Sequence, residues 1–246
     1  MTQDDSGAAF FAQVSQDLMR EHEEEPTLQR VADRALSVVA GADHCGISLR
    51  RRRGRVETAA ATSETARHCD QLQYDLGDGP CLEAVWKESS YLICDTAASE
   101  RWPAWGRKVA DAGVGSVLSI RLANEAETLG ALNLYAASTD GFAPDDVDVA
   151  VVYAAHATNA MKAAQLISGL STAVESRHLI GVAQGILMHR FELSMEDAFE
   201  VLRRYSSHTN VKLREVAALV VDTRSLPDLG DRPGIGHVDG RAGHEA

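Results

Sequence analysis

Residues 116–122, Ser-Val-Leu-Ser-Ile-Arg-Leu, and 129–135, Leu-Gly-Ala-Leu-Asn-Leu-Tyr, decide the fold. Each is a short apolar run of strand length, and the polar stretch Asn124-Glu-Ala-Glu-Thr128 between them reads as a turn. Upstream, residues 45–50 and 56–62 flank an Arg-Arg-Arg-Arg-Gly-Arg tip and give a hairpin, and residues 91–94 supply a fifth strand. Helical patterns fall between these strands near 64–74, 79–88 and 101–112. Ahead of them, Thr27 after Pro26 is the expected N-cap of a helix. That helix carries Leu28, Val31, Ala32, Ala35, Leu36, Val38 and Val39 on its apolar face and stops at Gly41. Residues 27–165 therefore read as an α+β domain, a mostly antiparallel sheet flanked by helices. The acidic segment 1–26 carries Phe10, Phe11, Val14 and Leu18 at helical spacing, and is either a short helix or a frayed leader.

From Pro144 onward no strand signal returns. Residues 145–162 are Ala-rich, with Val147, Val151, Ala154 and Met161 along one side. The pattern runs on through Leu166, Leu170 and Val174 to Leu187, which predicts one long helix with Gly169 as its weak point. A helix of this kind often pairs with a copy of itself. Ser194-Met-Glu-Asp197 is a variant capping box ahead of the stripe Ala198, Val201, Leu202 and Tyr205. After the turn 206–210, Leu213, Val216, Ala217 and Val220 form a further inward stripe. Residues 166–225 thus read as a three-helix bundle, and 226–246, non-periodic, as a flexible tail.

The 246 residues are 45% apolar and 24% charged, as in ordinary soluble proteins, with a net charge of −12. That balance excludes a chain coated in basic charge for wrapping nucleic acid. The charge is uneven: residues 1–165 carry 15 Lys/Arg against 25 Asp/Glu, whereas 166–225 carry seven of each. The bundle is neutral, with Arg190, Arg203, Arg204, Lys212 and Arg214 in or beside its last two helices. No signal peptide pattern opens the sequence, and no apolar run approaches the roughly 18 residues of a membrane span. Four cysteines without a CxxC pair argue against a zinc site and fit reduced thiols in the cytoplasm.

Gly77-Asp-Gly-Pro-Cys81-Leu-Glu-Ala84 has two glycines before a proline at a helix start. Leu82 stands where GxGxxG needs its third glycine, and no Gly-Lys-Ser/Thr follows, so the segment reads as a structural loop. Cys81 at that helix start is the candidate redox or electrophile sensor, since the helix dipole favours a thiolate; the competing reading is a small buried hydrophobe. Trp86, Trp102 and Trp105 are core or pocket wall. Asp75 and Asp78 are explained by a solvated loop. Arg50–Arg53 with Arg55 either touch phosphate or form a solvated hairpin tip. No serine elbow, HExxH or Cys/His pairing appears, so the chain is not expected to be an enzyme. In residues 177–190, Val182, Ile186 and Leu187 can turn inward while Ala183 and Gly185 leave the backbone accessible. Glycine within a helix costs about 1 kcal/mol relative to alanine, so it needs a reason: close helix packing or contact with RNA.

Arg177, Ile180, Ala183-Gln-Gly-Ile-Leu-Met188, Ser194-Met-Glu-Asp-Ala-Phe199, Leu202-Arg203, Ser206, Asn210 and Val216-Ala217 together resemble an ANTAR domain over about 166–225. Gln184 stands where that family usually has lysine. Gly77 to Ala84, Tyr91 to Asp95, Gly115 to Ser119 and Leu129 to Leu134 resemble a GAF domain over about 27–165. The resemblance implies a bacterial, actinobacterial-like GAF–ANTAR regulator. Such proteins bind paired hexaloop stem-loops in nascent mRNA, usually as homodimers, and stabilise an antiterminator. RNA contact then falls to Arg177, Gln184, Arg190, Arg203, Arg204, Asn210 and Lys212, through phosphate contacts, stacking and base-edge bonds. Ligand or redox sensing falls to Cys81 and Trp86, with a small molecule in the GAF domain, no metal and no resident cofactor. Two other readings stand beside this one: a small-molecule or redox sensor acting through protein–protein contacts, and a GAF-fold methionine-sulfoxide reductase, which would need paired catalytic cysteines. The acidic front domain predicts a surface that RNA avoids, and a shallow salt dependence.

Overall fold

The computed structural model describes residues 3–20 and 23–226. In chain order these form α1 (Gln3–Leu18), α2 (Glu24–Val38), β1 (His44–Arg50), a 3-10 turn (Arg52–Gly54), β2 (Val56–Ala61), α3 (Glu64–Leu76) and α4 (Pro80–Trp86). There follow β3 (Ser90–Ile93), α5 (Pro103–Asp111), β4 (Ser116–Ala123), β5 (Thr128–Ala136), α6 (Pro144–Phe191), α7 (Met195–Thr209) and α8 (Leu213–Thr223). The expected tail from residue 227 lies outside the described residues. The chain divides into two compact units, one up to Gly169 and one from Leu170.

In the first unit the strands run in the order β2-β1-β5-β4-β3, each pair antiparallel. The β4–β5 turn is held by Asn124, whose side-chain oxygen accepts from the amides of Ala126 and Glu127. Both sheet faces are covered, so the strands show no clean polar–apolar alternation. On one face Ile47, Leu49, Leu118, Ile120, Leu132 and Leu134 pack with α1, α2 and the first half of α6. There the Tyr153 hydroxyl donates to the Val31 carbonyl at 2.6 Å. The Ser15 hydroxyl lies 2.6 Å from His156 Nδ1, beneath a stacked Phe11 ring. The other face carries Val117, Ala131 and Tyr135 under α3, α4 and α5.

Details differ from the sequence expectation: the turn expected over 206–210 is helix as far as Thr209, and the chain turns at Asn210. The helix foreseen from Thr27 begins at Glu24, and Thr27 is buried, donating its hydroxyl to the Glu23 carbonyl. Pro26 is accommodated because an N–H in the first turn has no helical partner to lose. In α6, Val151 and Val152 face outward, and the buried line is Ala150, Tyr153, Ala154, Ala157, Ala160 and Met161.

In the second unit, the end of α6 packs with α7 and α8 around Ala183, Leu187, Ala198, Leu202, Val216, Ala217 and Val220. Ser194 caps α7: its hydroxyl accepts from the Asp197 amide at 3.0 Å and lies 2.8 Å from the Asp197 carboxylate. The acid therefore grips the capping hydroxyl rather than reaching back to the backbone. Such a cap contributes about 1 kcal/mol.

Candidate nucleic-acid interface

The phase of α6 within the bundle follows from Leu187. Ala183, four residues earlier, shares its face and is fully buried, so Val182 turns outward, contrary to the expectation from sequence. Gly181 and Gly185 lie on the opposite side, both exposed, and a Cβ built on either meets nothing within 4 Å. Packing among the described residues therefore gives no reason for these two mid-helix glycines. Arg177 and His178 are exposed one turn before them.

On α7, Met195, Phe199 and Arg203 recur every four residues and share an outward face. Gln184 reaches this face from α6, its amide donating to the Met195 carbonyl at 3.1 Å. Ser206 donates to the Val211 carbonyl and stiffens the α7–α8 turn. Asn210 is the left-handed C-cap of α7 at φ 55°, and Lys212 is the N-cap of α8. Arg190 donates to the Arg224 carbonyl at 2.9 Å, closing the C-terminal end of α8, and Arg203 holds Glu200 through two bonds of 2.9 and 2.7 Å. Arg177, Arg204 and Lys212 have no ion-pair partner among the described residues. The seven expected RNA-contact residues thus divide. Gln184 and Arg190 also hold the bundle together, Asn210 ends α7 through its backbone, Arg203 is paired, and Arg177, Arg204 and Lys212 carry no ion pair among the described residues. Met195 and Phe199 add an exposed apolar pair at i, i+4 to the expected residues, and their spacing ahead of Arg203 is the sequence signal for it.

In the first unit, the apolar interior beneath α3–α5 encloses a polar cluster. Asp70 is completely buried and accepts from the Tyr135 hydroxyl (2.5 Å), the Thr58 hydroxyl (2.8 Å) and Asn133 Nδ2 (2.8 Å). Gly46 makes room for its carboxylate, where a Cβ would collide with it. Ser48 and Tyr74 extend the network, their hydroxyls 2.6 Å apart. Burial pushes the Asp70 carboxyl up to about 6, and the hydrogen bonds from Tyr135, Thr58 and Asn133 pull the other way. Gln73 Nε2, Ser119 Oγ and Asn133 Oδ1 are buried here without hydrogen-bond partners among the described residues.

Cys81 belongs to this interior. Burial first, and the charge of Asp70 second, push its thiol up to about 12. The expectation of a thiolate is overturned: α4 has only seven residues, and desolvation outweighs its dipole. Its amide is taken by the Gln73 side chain at 2.8 Å, and Gln73 also packs over Gly79, so the glycine loop is filled by its own protein. Trp102 and Trp105 are core, and Trp105 Nε1 donates to the Cys69 carbonyl. Trp86 instead lies half exposed on a cleft of about 450 Å³ lined also by Gly54, Arg55, Tyr74, Asp78 and Lys87. The structure does not bring Cys81 and Trp86 into one site. Among the described residues no group of three His, Cys, Asp or Glu could hold a metal, and no helix is long and apolar enough to cross a membrane.

The GAF domain family matches residues 21–162, more than half of the chain, and the ANTAR domain family matches residues 168–221. The chain belongs to the GAF family, and its residues 168–221 match the ANTAR domain family. GAF is a signal-sensing domain and ANTAR domains are RNA-binding antitermination regulators, so the architecture is that of a regulator. Solved structures repeat the sensor fold. The GAF domain of a phosphoenolpyruvate-protein phosphotransferase from Coxiella burnetii is 16% identical, covers 68% of this chain and 99% of its own, and superposes with a TM-score of 0.54. The corresponding domain from Acinetobacter gives 14% identity, 68% and 97% coverage, and 0.51. A bacteriophytochrome from R. palustris gives 10%, 73% and 42%, and 0.52. At these identities the likeness concerns the fold alone. No curated protein matches the chain.

Proposed function

We propose that this GAF–ANTAR protein binds paired hexaloop stem-loops in nascent mRNA and promotes transcription antitermination in the cytoplasm. The observation that carries the reading is the open glycine pair Gly181/Gly185. Two residues that each weaken a helix by about 1 kcal/mol, with no neighbour among the described residues, suit the close approach of another backbone. Arg177, Arg204 and Lys212 supply phosphate contacts, and Phe199 beside Gln184 and Arg203 offers a stacking surface for unpaired loop bases. The protein acts as a homodimer through α6, whose Leu166, Leu170 and Val174 recur every four residues at 59–65% exposure. A signal sensed by the GAF domain would regulate this RNA-binding end. A gel-shift titration with a two-hexaloop RNA tests the reading. Binding is expected to fall when loop bases are changed, and equal binding to scrambled loops refutes it.

Regulation through protein–protein contacts is favoured instead if the exposed row on α6 captures a protein partner while RNA does not bind. A pull-down with and without the stem-loop RNA separates the two.

A further inference from the structure

The hairpin tip between β1 and β2 concentrates Arg50, Arg51, Arg52, Arg53 and Arg55 in six residues, one third of the basic residues in the acidic stretch 1–165. The five divide by role. Arg51 is held by Glu57 at 2.9 Å and by Glu24 at 3.8 Å, and Arg55 is also paired with Glu57. These two pin the base of the tip, with the Arg51 amide donating to the Arg55 carbonyl at 2.7 Å. Arg52 and Arg53 are exposed and have no partner among the described residues. Arg53 sits in the left-handed region at φ 65°, a conformation that costs a non-glycine residue about 1 kcal/mol. Arg50 lies with its guanidinium 4.2 Å from the centroid of the Trp86 ring, and Trp86 is 49% exposed. A braced turn therefore presents three cations and an open indole side by side.

We infer that this arginine hairpin, with Trp86, is a second RNA-contacting surface, on the sensor unit itself, engaging single-stranded RNA next to the stem-loops. The inference rests on the RNA-binding reading above. Planar guanidiniums match phosphate oxygens through paired hydrogen bonds, and an indole stacks on any unpaired base. Surrounding acidity selects the kind of partner. A strand narrow enough to follow the tip meets its cations alone, whereas a broad anionic membrane would also meet the carboxylates around it. The hairpin is thus a local exception to a surface that RNA otherwise avoids.

The test uses the full chain and a two-hexaloop RNA carrying an unpaired flank, over a range of salt concentrations. Arg52→Gln with Arg53→Gln removes two phosphate contacts. Affinity should drop about tenfold near 0.1 M salt, and the slope of log affinity against log salt should shrink by about 1.4. Trp102 and Trp105 are buried, so quenching of fluorescence by the flanked RNA reports Trp86, and Trp86→Phe should abolish it. Unchanged affinity and slope in the double variant, with wild-type quenching absent, overturn the inference. So does quenching by phosphatidylglycerol vesicles but not by RNA. Failure of the antitermination reading looks different: scrambled loops bind as well as native ones, while the hairpin variants still lose affinity. Absence of any RNA binding overturns both.

Discussion

Replacing Asp70 by asparagine should remove a pH dependence built into the sensor domain. The Asp70 carboxyl, raised to about 6 by burial, stands about two pH units above an ordinary aspartate. Below about pH 3 both the folded and unfolded states hold the proton, and the group costs nothing. Between about pH 3 and 6 the unfolded chain releases it first, so stability falls as pH rises. Above pH 6 the full penalty, about 3 kcal/mol, is in place. Asparagine cannot ionise, and the pocket can accept it. Tyr135 and Asn133 can donate to the amide oxygen, and the Thr58 hydroxyl can turn to accept from the amide nitrogen. The assay is urea unfolding between about pH 4 and 8, followed by tryptophan fluorescence, which reports the sensor unit because all three tryptophans lie in it. The difference in stability, Asp70→Asn minus wild type, should climb by about 2 kcal/mol from pH 4 to 7. A difference that stays flat within about 0.5 kcal/mol refutes the reasoning, and would mean that the three hydrogen bonds offset burial completely.

Three further outcomes are expected. Ser194→Ala removes the α7 cap and should lower the stability of the bundle by about 1 kcal/mol, seen as an earlier loss of helical circular dichroism; an unchanged transition would show that the cap contributes nothing. Gly181→Leu with Gly185→Leu should raise helix stability by about 1 to 2 kcal/mol yet abolish RNA binding, and wild-type affinity in the variant would remove the glycine face from the interface. Leu170→Glu with Val174→Glu should convert a dimer to a monomer in analytical ultracentrifugation, while a persistent dimer would place the contact elsewhere.

Much of the candidate interface was legible before any coordinates. The capping motif at Ser194 and the stripe through Ala198 and Leu202 are local, set by residues within a few positions of each other. The glycine loop before Pro80 was legible for the same reason, as a structural turn between two helices. Of the two readings of Cys81 only the buried hydrophobe survives, because what raises its pKa is burial beside Asp70, a residue eleven positions away and on another helix. Arg190 and Arg203 were recognisable as cations but not as partners of Arg224 and Glu200.

Sequence alone determined the strands, their turns, the helical carboxyl end and the uneven charge, since these depend on short-range periodicity and on composition. Only tertiary structure decided which side of α6 is inside. Apolar residues occur all around that 48-residue helix, so periodicity could not choose between Val151 and Ala150, or between Val182 and Ala183. The choice was made by what packs against the helix: the sheet and α2 at one end, α7 and α8 at the other. The same holds for Asp70. Its neighbours Tyr135 and Asn133 arrive from a strand more than sixty residues later, and only that assembly turns an ordinary helical aspartate into a buried acid.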